Sequence, residues 1–175
     1  MKTGRVRGKS DSIRTQTVMK AATINEIKKE IVELDAKTVQ ALCMRLAKFK
    51  KDNKELLTYL LFEAHDESGY INMVKAEMDE MFQTLPSGNV YYIKKSLRKI
   101  LRIVNKQIKY SGTKQTELEL RLYFCSKVKE AGVPLRSSTV LYNMNEQQMK
   151  KIKAVLTQVP EDLQYDYQHE IASLH

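Results

Sequence analysis

The sequence predicts an all-α protein of seven or eight consecutive antiparallel helices, and three observations carry that expectation. Six Gly, three Pro and no Trp in 175 residues, with abundant Lys, Glu, Leu, Met and Ala, favour helix over sheet. From Thr23 onward, apolar residues recur at steps of three and four, the period of an amphipathic helix. Strand-like alternation of useful length is missing. The nearest case, Leu118, Leu120 and Leu122 between polar neighbours, lies inside a helical pattern and reads as helix.

The helices follow in order. Thr23 and Glu26 have capping-box spacing and start the first, which carries Ile24, Ile27, Ile31 and Leu34 on one face. Asp35 caps a second with the stripe Val39, Leu42, Cys43, Leu46 and Phe49, and Lys48, Lys50 and Lys51 complement the dipole at its end. Asp52 and Glu55 repeat the capping spacing and open a third. Leu56, Leu57, Leu60, Leu61 and Phe62 make that helix apolar around most of its circumference, which predicts a central position with neighbours on several sides. After the break at 65–69, a fourth helix presents Ile71, Val74, Met78, Met81, Phe82 and Leu85; Met73 lies off this stripe. Pro86-Ser87-Gly88-Asn89 is a turn, and a fifth helix covers roughly 90–110, ended by Ser111-Gly112-Thr113. A sixth carries Leu118, Leu122, Cys125 and Val128 and stops at Gly132, with Pro134 just beyond. Ser137 and Ser138 cap a short turn through Val140 and Leu141. A seventh helix follows with Met149, Ile152, Val155, Leu156 and Val159, and Pro160 separates it from a last one through Leu163, Tyr167 and Ile171.

Short connections force neighbouring helices antiparallel. In length and spacing, the pairs 24–34 with 36–50 and 53–64 with 69–84 resemble the helical hairpins of HEAT-type solenoids. No consensus repeats at a fixed period, so an irregular helical bundle is the alternative. Residues 1–20 read as a weakly ordered basic tail, of which 1–18 form an extension ahead of Met19, and residues 21–175 as one all-helical domain. Cys43 and Cys125 both fall in apolar stripes, which predicts buried free thiols in a reducing compartment. No apolar run approaches a membrane span and no secretory core is present, so the cytoplasm is the expected location.

Charge is distributed unevenly. The chain is formally +9, yet residues 1–20 hold six basic groups against Asp11, and residues 86–116 hold eight with no acid at all. Everything else is net acidic. On the fifth helix, Ile93, Leu97, Ile100, Leu101, Val104 and Ile108 share an arc of roughly 100°. Lys94, Lys95, Arg98, Lys99, Arg102, Lys106 and Lys109 occupy the complementary side, together with Tyr91. Like charges at helical spacing repel by a few tenths of a kcal/mol per pair, about 0.2–0.5. No Glu or Asp of the helix offsets this.

Two arrangements would offset it. Glu77, Asp79 and Glu80 of the preceding helix, or Glu117 and Glu119 of the following one, fold over the cations. Alternatively the face is open and meets an anionic partner. For an open face the expectation is a non-enzymatic interaction module that touches nucleic-acid phosphates without sequence specificity, because no helix-turn-helix, zinc-finger or RNA-recognition signature is present. The alternative is a helical scaffold docking an acidic protein surface. Lipid adhesion would require the apolar face that the core needs.

Signals for chemistry are weak. His65 with Glu63, Asp66 and Glu67 forms a polar cluster at spacings that do not share a helical face, and it reads as a solvated, helix-capping loop. His169 and His175 lie near the C-terminus. Glycine-rich phosphate loops, nucleophile elbows and paired-Cys motifs are missing, so no catalytic residue, metal ligand or cofactor is expected. A small enzyme whose site is assembled only in three dimensions is the outside alternative. Tyr91, Tyr92 and Tyr110 flank the basic helix, either to stack on bases or to cover a core edge.

Overall fold

A computed structural model describes residues 20–174. Eight α-helices, one π-turn and one 3-10 turn make up its regular structure, with no strand among the described residues. The fold is all-α, as the sequence predicts. The 1–20 tail falls outside the described residues except for Lys20. Two compact units are present, and the boundary between them falls after Arg45, inside the second helix.

The first unit contains α1 (Ile24–Val32) and most of α2 (Ala36–Phe49). Thr23 and Glu26 form the expected reciprocal capping box. Asp35 accepts the Thr38 backbone N–H at 2.9 Å and the Thr38 hydroxyl at 2.7 Å, so it caps α2. Both helices are amphipathic, but neither buries a residue. Cys43 is exposed, against the expectation that it is a core thiol. Its stripe marks a helical face, and a face alone does not specify what covers it.

The second unit, from Leu46 on, holds the core. Here α3 (Lys51–Thr58) continues into a π-turn over Tyr59–Glu63, marked by the Ala64 N–H donating to the Tyr59 carbonyl at 2.9 Å. Two expectations for this segment are corrected. Lys50, not Asp52, sits at the N-cap, and Asp52 lies in the first turn, where its charge complements the dipole. The helix is also peripheral, not central. The π-turn puts Tyr59 into the core against Tyr70, ring centres 4.7 Å apart, while Leu60, Leu61 and Phe62 remain 56–64% exposed.

The central element is α6 (Lys114–Glu130), which packs against α4 (Glu67–Gln83), α5 (Val90–Ser111) and α7 (Thr139–Leu156). Surrounded in this way, α6 buries Leu118, Leu120, Leu122 and Phe124 around its circumference as well as Cys125 and Val128. The strand-like alternation of Leu118, Leu120 and Leu122 is therefore a helix apolar on all sides. Gly132 closes it with φ of 59°, and Val133 N–H reaches back to the Val128 carbonyl at 3.2 Å, a Schellman ending. A 3-10 turn at Leu135–Ser137 precedes α7, and Leu141 is buried within the first turn of α7 itself rather than in a separate short turn. The last helix, α8 (Glu161–Ser173), follows Pro160 and buries Ile171. With three helices around a fourth, the second unit is a bundle and not a row of hairpins.

Candidate nucleic-acid interface

The 22 residues of α5 are capped by Asn89, whose side chain accepts the Tyr91 N–H, and by Gly112 in the left-handed region at φ 71°. Between these caps the two faces separate cleanly. Ile93, Leu97, Ile100, Leu101, Val104 and Ile108 are all buried. Tyr70 of α4 fixes the far end by donating its hydroxyl to the Gln107 carbonyl oxygen at 3.1 Å and to Gln107 Oε1 at 2.8 Å. The apolar side is thus committed to the core, and the polar side is presented outward.

On that polar side Lys95, Arg98, Lys99, Arg102 and Lys109 are exposed, and Lys94 is half-buried. No carboxylate among the described residues lies within 4.0 Å of any of these six. The acids that the sequence offered as cover serve other cations. Asp79 pairs with Lys127 at 3.1 Å and accepts the Tyr123 hydroxyl. Glu117 holds Arg121 at 2.7 Å, and Glu119 holds Lys75 at 2.9 Å. Glu77 and Glu80 are exposed and form no ion pair among the described residues. With no counter-charge among the described residues, the mutual repulsion of the row is relieved by solvent ions or by a partner.

Lys106 departs from the row. It is half-buried and paired to Glu55 of α3, an acid that spacing along the chain did not suggest. The Lys106 ammonium, and then the Tyr110 hydroxyl against the burial that opposes it, hold the Glu55 carboxyl below its ordinary range. Tyr110 is buried and takes the core-edge reading, while Tyr91 and Tyr92 stand exposed in a T-shaped pair with ring centres 5.3 Å apart. The Met73, Met78 and Met81 set is ordinary: Met78 is core, Met81 half-buried and Met73 exposed.

The polar cluster at 63–67 also acquires a structure. Asp66 caps α4 by accepting the Gly69 N–H at 2.9 Å. Glu67 turns inward and accepts the hydroxyls of Tyr59, Ser111, Thr113 and Thr116. Burial opposes its ionisation, but the four hydroxyls together outweigh burial and hold the carboxyl below its ordinary value. His65 is exposed and takes no part. No group of three His, Cys, Asp or Glu among the described residues is arranged to hold a metal ion. His175 lies outside the described residues.

Two features that sequence reasoning missed adjoin the basic row. Arg121 of α6 is 5% exposed. It donates to Glu117 Oε1 at 2.7 Å, Asn105 Oδ1 at 3.0 Å and Gln148 Oε1 at 2.8 Å, so one guanidinium ties α5, α6 and α7 together. The second is a groove of about 610 Å³ between α5 and α7, into which Arg98, Arg102 and Lys151 face. An arginine inside the apolar run Leu120-Arg121-Leu122, with Glu117 four residues before it, was the available signal. No helix among the described residues is long and apolar enough to cross a membrane. No protein family, curated protein or solved structure matches the chain.

Proposed function

We propose that the chain is a non-enzymatic helical module that binds the phosphate backbone of nucleic acid along α5, without sequence specificity. One observation carries the reading. Lys94, Lys95, Arg98, Lys99, Arg102 and Lys109 line one side of a helix with no acidic partner within 4.0 Å among the described residues, while the opposite side is core. Flexible cations along roughly 23 Å of helix match a polymer of regularly spaced phosphates, and each phosphate neutralised releases condensed counterions. Tyr91 and Tyr92 at one end offer aromatic surface to an unpaired base. Both cysteines are free thiols, which suits a reducing compartment such as the cytoplasm.

The test is an anisotropy titration of the full chain with mixed-sequence DNA and RNA oligonucleotides at about 50 and about 200 mM salt. Six phosphate contacts predict a loss of affinity of about 1,000-fold across that range. The double change Arg98→Glu and Arg102→Glu should weaken binding for every sequence and flatten the salt dependence. Absence of binding at low salt, or binding indifferent to the double change, rejects the reading.

A further inference from the structure

Helices α5 and α7 both lie on α6 and leave a groove between them. Arg98 and Arg102 stand on its α5 side and Lys151 on its α7 side; Asn105 and Gln148 also line it, and no Asp or Glu does. Beneath, Arg121 donates to the carbonyl oxygens of both amides, Asn105 Oδ1 and Gln148 Oε1. A guanidinium carries donors and no acceptor, so it can meet only the oxygen end of an amide. That contact fixes both side-chain flips and leaves the two NH₂ groups turned away from Arg121. Neither NH₂ donates to a protein acceptor among the described residues. Gln148 is only 3% exposed as a whole, but its NH₂ is not among the buried unpaired groups and so opens on the groove that the residue lines.

Three cations and two oriented amide donors, with no carboxylate in the lining, demand a ligand rich in acceptors and negative in charge. A metal cation is repelled. A neutral apolar group would strip solvent from the two amide donors and offer them no acceptor. A tetrahedral oxyanion offers several acceptor oxygens at once and suits both the arginines and the amides. We infer that this groove seats one phosphoryl group. The assignment to a nucleic-acid strand rests on the proposed backbone reading of α5: the seat then fixes the register of a strand that the lysines merely attract. Arg121 is a positioning residue here, holding the donors without touching the phosphate.

The experiment follows the side-chain amide signals of Asn105 and Gln148 in ¹⁵N-labelled full chain, titrated with inorganic pyrophosphate and, separately, with a mixed-sequence single-stranded DNA oligonucleotide. Lys151→Gln and Gln148→Glu are compared with the parent. The second keeps the size of the side chain and its contact with Arg121, replacing the donor by a carboxylate oxygen, so the fold is retained. Both probes should move the two amides, and Gln148→Glu should weaken oligonucleotide binding about tenfold. If the oligonucleotide binds with these amides unmoved and both variants within twofold of the parent, the seat is rejected while the α5 reading stands. If pyrophosphate moves the amides and no oligonucleotide binds, the seat holds for a free phosphorylated molecule and the backbone reading fails. Silence toward both probes overturns the seat.

Discussion

Glu55 of α3 is the one carboxylate among the described residues that reaches the basic face of α5, pairing with Lys106 while its Oε2 also accepts the Tyr110 hydroxyl at 2.9 Å. The pair lies near one end of the cation row, one turn before Lys109, and withholds a charge from it. Replacing Glu55 by Gln should release Lys106. Oligonucleotide affinity should then rise and the salt slope steepen by about 0.9, read by titration at several salt concentrations. Both side chains are about one-third exposed or less, at 33% and 27%, so the stability lost is modest, about 1 kcal/mol. An unchanged slope would show that Lys106 lies outside the binding surface.

Acid should loosen the second unit through Glu67. Its carboxyl is held below the ordinary glutamate value by the hydroxyls of Ser111, Thr116, Tyr59 and Thr113, which outweigh the effect of burial. A depressed folded value means that the stabilisation is complete well above the unfolded value of about 4.3. It fades as pH falls through the folded value. Glu67→Gln, whose amide offers one acceptor oxygen in place of two, should cost about 1–3 kcal/mol near neutrality and flatten the acid limb. Urea midpoints measured from neutral pH down to pH 3 check both parts.

The two thiols should differ in reactivity by orders of magnitude. Cys43 is exposed, whereas burial pushes the Cys125 thiol up to about 12, with Arg121 opposing only in part. With an aromatic disulfide reagent, one thiol should react at once and the other only on unfolding. Two fast thiols would contradict the packing of α6.

Truncations should rank α6 above the leucine-rich third helix. Leu120 is fully buried, and Leu120→Ala should cost about 2–5 kcal/mol. Leu61 is 62% exposed, and Leu61→Ala should stay within about 0.5 kcal/mol. Chemical denaturation decides, and the reverse order would place α3 at the centre after all.

That ranking also shows where the sequence is legible. Helix α5 is legible because one face is core and the other wet, so Ile93, Leu97, Ile100, Val104 and Ile108 stand out at helical spacing between a turn and Gly112. Burial on all sides erases this contrast in α6, where Leu118, Leu120 and Leu122 mimic a strand. The same rule misleads at the third helix. Leu60, Leu61 and Phe62 look central, but the π-turn sends Tyr59 inward in their place. The groove was beyond reach for a different reason. Arg121 meets Asn105 and Gln148 from 16 and 27 residues away, and no local pattern encodes an encounter of three helices.

The one-sidedness of α5 has a mechanical consequence. In the field of a polyelectrolyte, a body with a row of unpaired cations along one edge feels a torque as well as a pull. It swings that edge forward before collision, and fewer encounters are wasted on the wrong orientation. Added electrolyte shortens the reach of this torque to about 8–10 Å, so it slows capture well before it affects release.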